Sequence, residues 1–356
     1  MTYRRDRSYL WNYRHGPSFD GPFPAVPKTP WKELLGFRVR SRIGIAAGIL
    51  LNSRWIDCYS RLGFDVLTYK TVRSAHRPCY PLPNWVYVSL PGGISTIEDG
   101  DPKLVTARRR PAKAEDVTSA VCFGMPCMAP ELWRADVRVA RRKLRPGQVL
   151  VVSVVGTPVP GGGAEGLAED FVRCARWASE SGAHVVEANF SCPNVSTPEG
   201  SVYQDCQFSR DLARMLRDAL PSTPFIIKAG HFEAPARLHA FQEAVAGLAD
   251  GIVIVNGVSR RVVRRDGRPA FPGHERVGIL GRAIHGAALK NVESAVESSR
   301  RGPARKRLLT LAVGGVLDAG DAAGFFEAGA SAVLLGGGAA LDPRLAIRMK
   351  EAYPEW

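Results

Sequence analysis

The sequence predicts a single α/β domain, a (β/α)8 TIM barrel with an N-terminal arm and long inserted loops at the C-terminal face. Three observations predict it. From residue 43 onward, short apolar runs alternate with amphipathic stretches of helical length. The runs number eight, and glycine-rich turns follow the seventh and the eighth. A chain of 356 residues that is 45% hydrophobic can bury one core of this size.

The eight runs are 43–47, 66–71, 149–155, 185–190, 225–229, 251–256, 308–313 and 332–335. They are apolar almost throughout rather than alternating, which is how parallel strands covered on both faces read. Helical stretches at 53–62, 132–144, 168–181, 210–220, 236–248, 287–299, 319–328 and 341–353 lie between and after them. Residues 1–42, rich in Arg, Tyr, Trp and Pro, carry neither period and are expected as an arm on a barrel spanning 43–356. The longest non-periodic stretches, 73–130 and 258–280, follow strands, so in a barrel they project from the face where chemistry is housed.

Composition narrows the function. The formal charge of +14 is scattered along the chain, which reads as a solvated basic surface, and nucleic acid is not an expected partner. Seven cysteines without a CxxC pair or a His cluster fit reduced thiols, and no metal is expected. No charged leader precedes an apolar stretch, and no run approaches the roughly 18 apolar residues that span a bilayer. A cytoplasmic protein is expected, with no membrane contact.

The turn after the seventh run reads Val313-Gly314-Gly315-Val316 and that after the eighth Leu335-Gly336-Gly337-Gly338. Glycine lets backbone N–H groups approach an anion without a Cβ in the way, and the start of the following helix would add partial positive charge. A single such turn is ordinarily only a tight turn; two at these positions predict a phosphorylated ligand. Lys70 and Lys228 stand near the ends of apolar runs, where a buried ammonium needs an anion beside it. That anion is either a ligand in the barrel mouth or an internal partner, for which Asp65 and Glu187 are available. The fourth run ends in Asn189-Phe190-Ser191-Cys192-Pro193-Asn194. The carboxamides of Asn189, Asn194 and Asn256 could read the alternating N–H and C=O edge of a pyrimidine. Cys192, framed by two of them, is placed as a proton acceptor rather than an inert thiol. Cys58 and Cys174, on helical stretches, read as packing.

The segment Asn189 to Asn194 closely resembles the NLSCPN signature of the soluble, cysteine-using dihydroorotate dehydrogenases. Ile45-Ala46-Ala47-Gly48, Tyr69-Lys70-Thr71-Val72, Pro81-Leu82-Pro83-Asn84, Ile227-Lys228, Val255-Asn256-Gly257, Leu280-Gly281 and both glycine turns follow in that family's order. The resemblance implies FMN, with its phosphate on Gly314, Gly315, Gly336 and Gly337 and its ring system against Ala46, Ala47, Gly48 and Thr71. It implies that Lys228 faces the flavin N1 and O2 edge and that Lys70 bridges flavin and substrate. Asn189, Asn256, Gly257 and Gly281 complete the cofactor set. In the implied reaction Cys192 removes a proton from one carbon of a C–C single bond while its neighbour gives a hydride to flavin N5, and Asn189, Asn194 and Asn256 hold the substrate ring. A homodimer is the expected assembly.

Two departures stand out. Where the family's substrate loop carries an Asn, this chain has Val121 in Val121-Cys122-Phe123-Gly124-Met125-Pro126, and Gly257 replaces a common Ser. An amide contact is worth about 1 kcal/mol or more when its partner would otherwise be unsatisfied, so Val121 points to altered substrate recognition. The competing readings are a diverged family member acting on another small polar substrate, a tRNA dihydrouridine synthase-like enzyme, and a flavin-binding protein without turnover. The basic charge favours the second, and Val121 the first and third.

Overall fold

The computed structural model describes residues 1–89, 101, 103–192, 198–303 and 307–356. Eight parallel strands close into a barrel in chain order: β1 (Ile43–Ile45), β2 (Val66–Val72), β3 (Val149–Val154), β4 (Val185–Asn189), β5 (Phe225–Lys228), β6 (Gly251–Ile254), β7 (Leu309–Val313) and β8 (Ala332–Leu335). Pairing of Val333 with Ile43 and of Leu335 with Ile45 closes the ring. Residues of one parity from these strands, among them Val66, Val151, Val185, Ile226, Val253, Leu311 and Leu334, form one buried cluster that fills the barrel. Leu34 and Val39 join that cluster from a hairpin, Lys32–Leu34 with Phe37–Val39, which plugs the amino-terminal end.

The opposite parity faces the helices. Tyr69 bonds Asp136 on helix Pro130–Lys143 at 2.8 Å, and Phe171 and Phe190 meet edge to face between helix Gly163–Glu180 and the end of β4. Cys58 and Cys174 lie in this outer core. The helical stretch read at 341–353 is two helices, Gly337–Leu341 and Leu345–Ala352. Asp342 precedes Pro343 and is extended (φ −135°, ψ 91°), because the proline ring crowds a helical residue before it.

Residues 1–42 contain no long element but do carry short ones. They hold the hairpin and a helix, Tyr9–His15, whose start is capped by the Ser8 side chain accepting from the Trp11 N–H. At seven residues and three residues per strand, these elements are too short to show a period. The two stretches read as non-periodic loops are not irregular throughout: they carry five strands, Trp85–Ser89, Leu104–Thr106, Thr118–Val121, Val258–Val263 and Arg276–Gly281, closed on one another as a second sheet. Its own core holds Val88, Ala120, Val262, Phe271 and Ile279. Among the described residues no helix is long and apolar enough to cross a membrane.

Candidate active site

Strand alternation delivers polar side chains to the carboxyl end of the barrel. Val66, Thr68 and Lys70 on β2, Val149, Val151 and Ser153 on β3, and Val185, Glu187 and Asn189 on β4 follow the inward parity. The pairing of β2 with β3 shifts register between Tyr69 and Val72. A bulge of this kind re-aims side chains, and here both Lys70 and Thr71 line the cavity at the barrel mouth.

That cavity gathers most of the residues singled out in the sequence. Ala46, Ala47 and Gly48 border it after β1, Asn189 and Cys192 at β4, and Lys228 on β5. Asn256, Gly336 and Gly337 complete its barrel side. Gly281, Gly314 and Gly315 line a narrower cleft that shares Asn256, Gly336 and Gly337 with it. Gly257 instead faces a neighbouring cleft that reaches Cys192 from the other side. Asn194 lies outside the described residues.

Lys228 Nζ stands 3.9 Å from Glu187 Oε1 and donates to the Ala47 carbonyl at 3.3 Å, with both charged side chains buried. Of the two acids offered for the lysines, then, only Glu187 is in place. Asp65 is taken by Lys350 at 2.6 Å and by Ser41 at 2.6 Å. Among the described residues Lys70 has no carboxylate partner. Its ammonium donates to the Pro126 carbonyl at 2.5 Å and lies 5.2 Å from the Tyr9 ring centre. Burial pulls its pKa down to about 8. Asn189 is held by Thr71 Oγ1 at 3.3 Å and accepts the Ser191 N–H at 3.2 Å. Thr71 Oγ1 in turn meets Ser153 Oγ at 3.0 Å, and Asn256 donates to the Ser191 carbonyl. The Cys192 N–H is fixed on the Gly200 carbonyl at 2.9 Å. Burial raises two neighbouring thiols, Cys79 to about 11 and Cys122 to about 12, which leaves them protonated at neutral pH.

Val121, Phe123 and Met125 of the loop singled out in the sequence, together with Leu280, form the wall supplied by the second sheet and the loop after it. Beside them stand residues that went unread: Trp85 and, from the N-terminal residues, Tyr3 and Tyr9. Met125 has φ 52°, an uncommon conformation for a long side chain. Arg73, fully buried, binds the Met125 carbonyl at 3.4 Å, the Gly156 carbonyl at 3.1 Å and Glu199 at 3.3 Å. It thereby ties the Val121 loop to the chain on both sides of β4. Ser153 was legible as the next inward step after Val149 and Val151; the contacts of Tyr3, Tyr9, Trp85 and Glu199 span distances in sequence that no local pattern reports.

The helix-end charge expected at the first glycine turn is already engaged. Helix Ala319–Glu327 begins beyond Val316 and is closed by a capping box between Asp318 and Asp321. What faces the cleft there is loop backbone.

A closed parallel barrel whose strand ends present lysines, carboxamides and a thiol to one cavity is an enzyme architecture. Residues 130–354 match the family description "Dihydroorotate dehydrogenase". A dihydroorotate dehydrogenase of Dictyostelium discoideum is 31% identical over 360 residues, covering 97% of this chain and 95% of that protein. The catalytic subunit of a dihydroorotate dehydrogenase B (NAD(+)) of Maridesulfovibrio salexigens is 30% identical over 53% of this chain and 59% of its own. A putative dihydroorotate dehydrogenase A (fumarate) of Pediococcus pentosaceus is 28% identical over 50% of this chain and 57% of its own. The chain belongs to the dihydroorotate dehydrogenase family, whose members are flavoprotein oxidoreductases acting on CH–CH bonds.

Proposed function

We propose that the chain is an FMN-dependent oxidoreductase that converts a C–C single bond to C=C in a dihydroorotate-like or other dihydropyrimidine-like substrate, or runs the reverse reduction. The observation that carries this reading is the convergence of Lys70, Lys228, Asn189, Asn256 and Cys192 with bare glycine backbone on one cavity.

The residues present fit FMN. A Cβ added at Gly48 or Gly336 would meet no atom within 4 Å, so main chain borders open space at two points of the cavity wall. A flat ring system and an anionic tail need such close backbone approach. Gly314, Gly315, Gly336 and Gly337 would hold the phosphate, with Gly257 and Gly281 nearby; Ala46, Ala47, Gly48 and Thr71 would border the ring. Bound there, FMN supplies the hydride acceptor. Lys228, kept buried and oriented by Glu187, would hold a cation against the ring. Asn189 and Asn256, both already held by hydrogen bonds, orient the substrate ring. Cys192 Sγ takes the proton from the ring carbon next to the one that is oxidised. Residues 1–42 act as an arm, Tyr3 and Tyr9 walling the cavity from solvent.

The direct test is the colour of the purified protein and an anaerobic panel of dihydropyrimidines followed by flavin absorbance. Bleaching by a member of the panel supports the reading; a colourless protein that takes up no FMN overturns it.

Two predictions belong to this site. Val121 puts an isopropyl group where a carboxamide would satisfy a polar ring atom. Val121→Asn should therefore raise kcat/KM for dihydroorotate by about tenfold, the equivalent of one neutral hydrogen bond; a fall would show that the wall recognises an apolar group. The second concerns pH. In the ligand-free protein Lys70 loses its proton as pH rises through about 8, against 10.5 for the free side chain. Between those values the unfolded chain holds the extra proton, so this group makes the fold more stable as pH rises. An anionic ligand seated on Lys70 selects the charged form. Orotate affinity should then fall about tenfold per pH unit above that point. Titration at pH 7 and 9.5 checks it; equal affinities would separate Lys70 from the ligand's charge.

A further inference from the structure

We infer that Trp85 is a cofactor-binding residue, donating its indole N–H to a phosphate oxygen of the bound FMN. The inference rests on the FMN reading above. Trp85 is 3% exposed and lines the mouth cavity, yet its Nε1 has no hydrogen-bond partner. A buried indole N–H is ordinarily paired, so a lone one on a cavity wall points at something that enters the cavity.

Its position is set by its neighbours. Strand Trp85–Ser89 pairs Trp85 with Val121, Arg5 donates to the Trp85 carbonyl at 3.4 Å, and the Tyr3 ring packs 5.9 Å from the indole. These contacts hold the six-membered ring over the second glycine turn. A methyl group on Gly337 would come to rest 3.9 Å from Trp85 Cζ2, the ring atom on the Nε1 side. The indole that carries the orphan donor and the bare backbone of Gly336 and Gly337 therefore lie side by side on the cavity wall. An indole is donor only and cannot be charged, so it suits an anionic oxygen and adds no cation to the site.

The test is titration of apo-protein with FMN and with riboflavin, which lacks the phosphate. Trp85→Phe keeps the ring and removes the N–H. It should weaken FMN binding at least about tenfold while changing riboflavin affinity less than about twofold, the loss of one hydrogen bond to a charged group. Unchanged FMN affinity, or equal losses for both ligands, overturns the inference while leaving the FMN reading standing. Wild-type protein that binds no FMN overturns both. Should the variant fail to fold, wild-type protein carrying 15N-labelled tryptophan decides: one indole N–H signal moves downfield with FMN and not with riboflavin, and a spectrum without such a shift overturns the assignment.

Discussion

Cys192→Ala should leave flavin bound and slow its reduction by substrate at least about a hundredfold, the usual effect of removing a general base. The physical reason lies in what surrounds the thiol. Cys192 is anchored through its own N–H to Gly200 and lines both the cavity that holds Lys70 and Asn189 and the cleft on its other side. Burial pushes the nearby thiols of Cys122 and Cys79 up, to about 12 and about 11, so neither is a ready substitute. The loss should appear in single-turnover reduction under anaerobic conditions, with the flavin affinity of the variant within about twofold of wild type, because the change only shortens one small side chain. Reduction at the wild-type rate would take Cys192 out of the mechanism.

Lys228→Met should destabilise the fold by about 3–5 kcal/mol, measured by urea unfolding of the apo-protein, and abolish tight flavin binding. Glu187 is completely buried, neither of its oxygens has a hydrogen bond, and Lys228 is the cation beside it. Removing the lysine leaves a buried acid with nothing to compensate it. The double variant Lys228→Met with Glu187→Leu then separates the two roles. Stability should return, because an apolar pair of similar volume restores packing without an uncompensated charge, whereas flavin affinity should stay low. A double variant as unstable as the single one would mean that the pair does not couple; recovered flavin binding would mean that Lys228 serves the barrel and not the cofactor.

Much of the barrel was readable because its signals are local. Each of the eight runs read from the sequence overlaps a strand, since strands covered on both faces must be apolar along their length. The breaks came where local pattern is silent. The strands of the second sheet are three to six residues long, and their pairing joins Leu104 with Val262 and Val121 with Gly278, more than 150 positions apart. The helix read at 341–353 failed at a proline whose effect on the preceding residue is itself local, and could have been read.

At the site, the sequence alone singled out residues that the fold brings to one cavity and its adjoining cleft: Lys70 and Lys228 near the ends of apolar strands, the carboxamide and thiol of Asn189 and Cys192, and the glycine turns. Such residue types at strand ends have few structural uses, so type and position together are informative. Only the tertiary structure decided their partners. Which acid sits beside which lysine, that β2 bulges to present both Lys70 and Thr71, and that Tyr3, Tyr9 and Trp85 wall the cavity all depend on contacts between segments remote in the chain. Those contacts follow from packing and loop closure in three dimensions, and a period of two or of 3.6 residues carries no record of them.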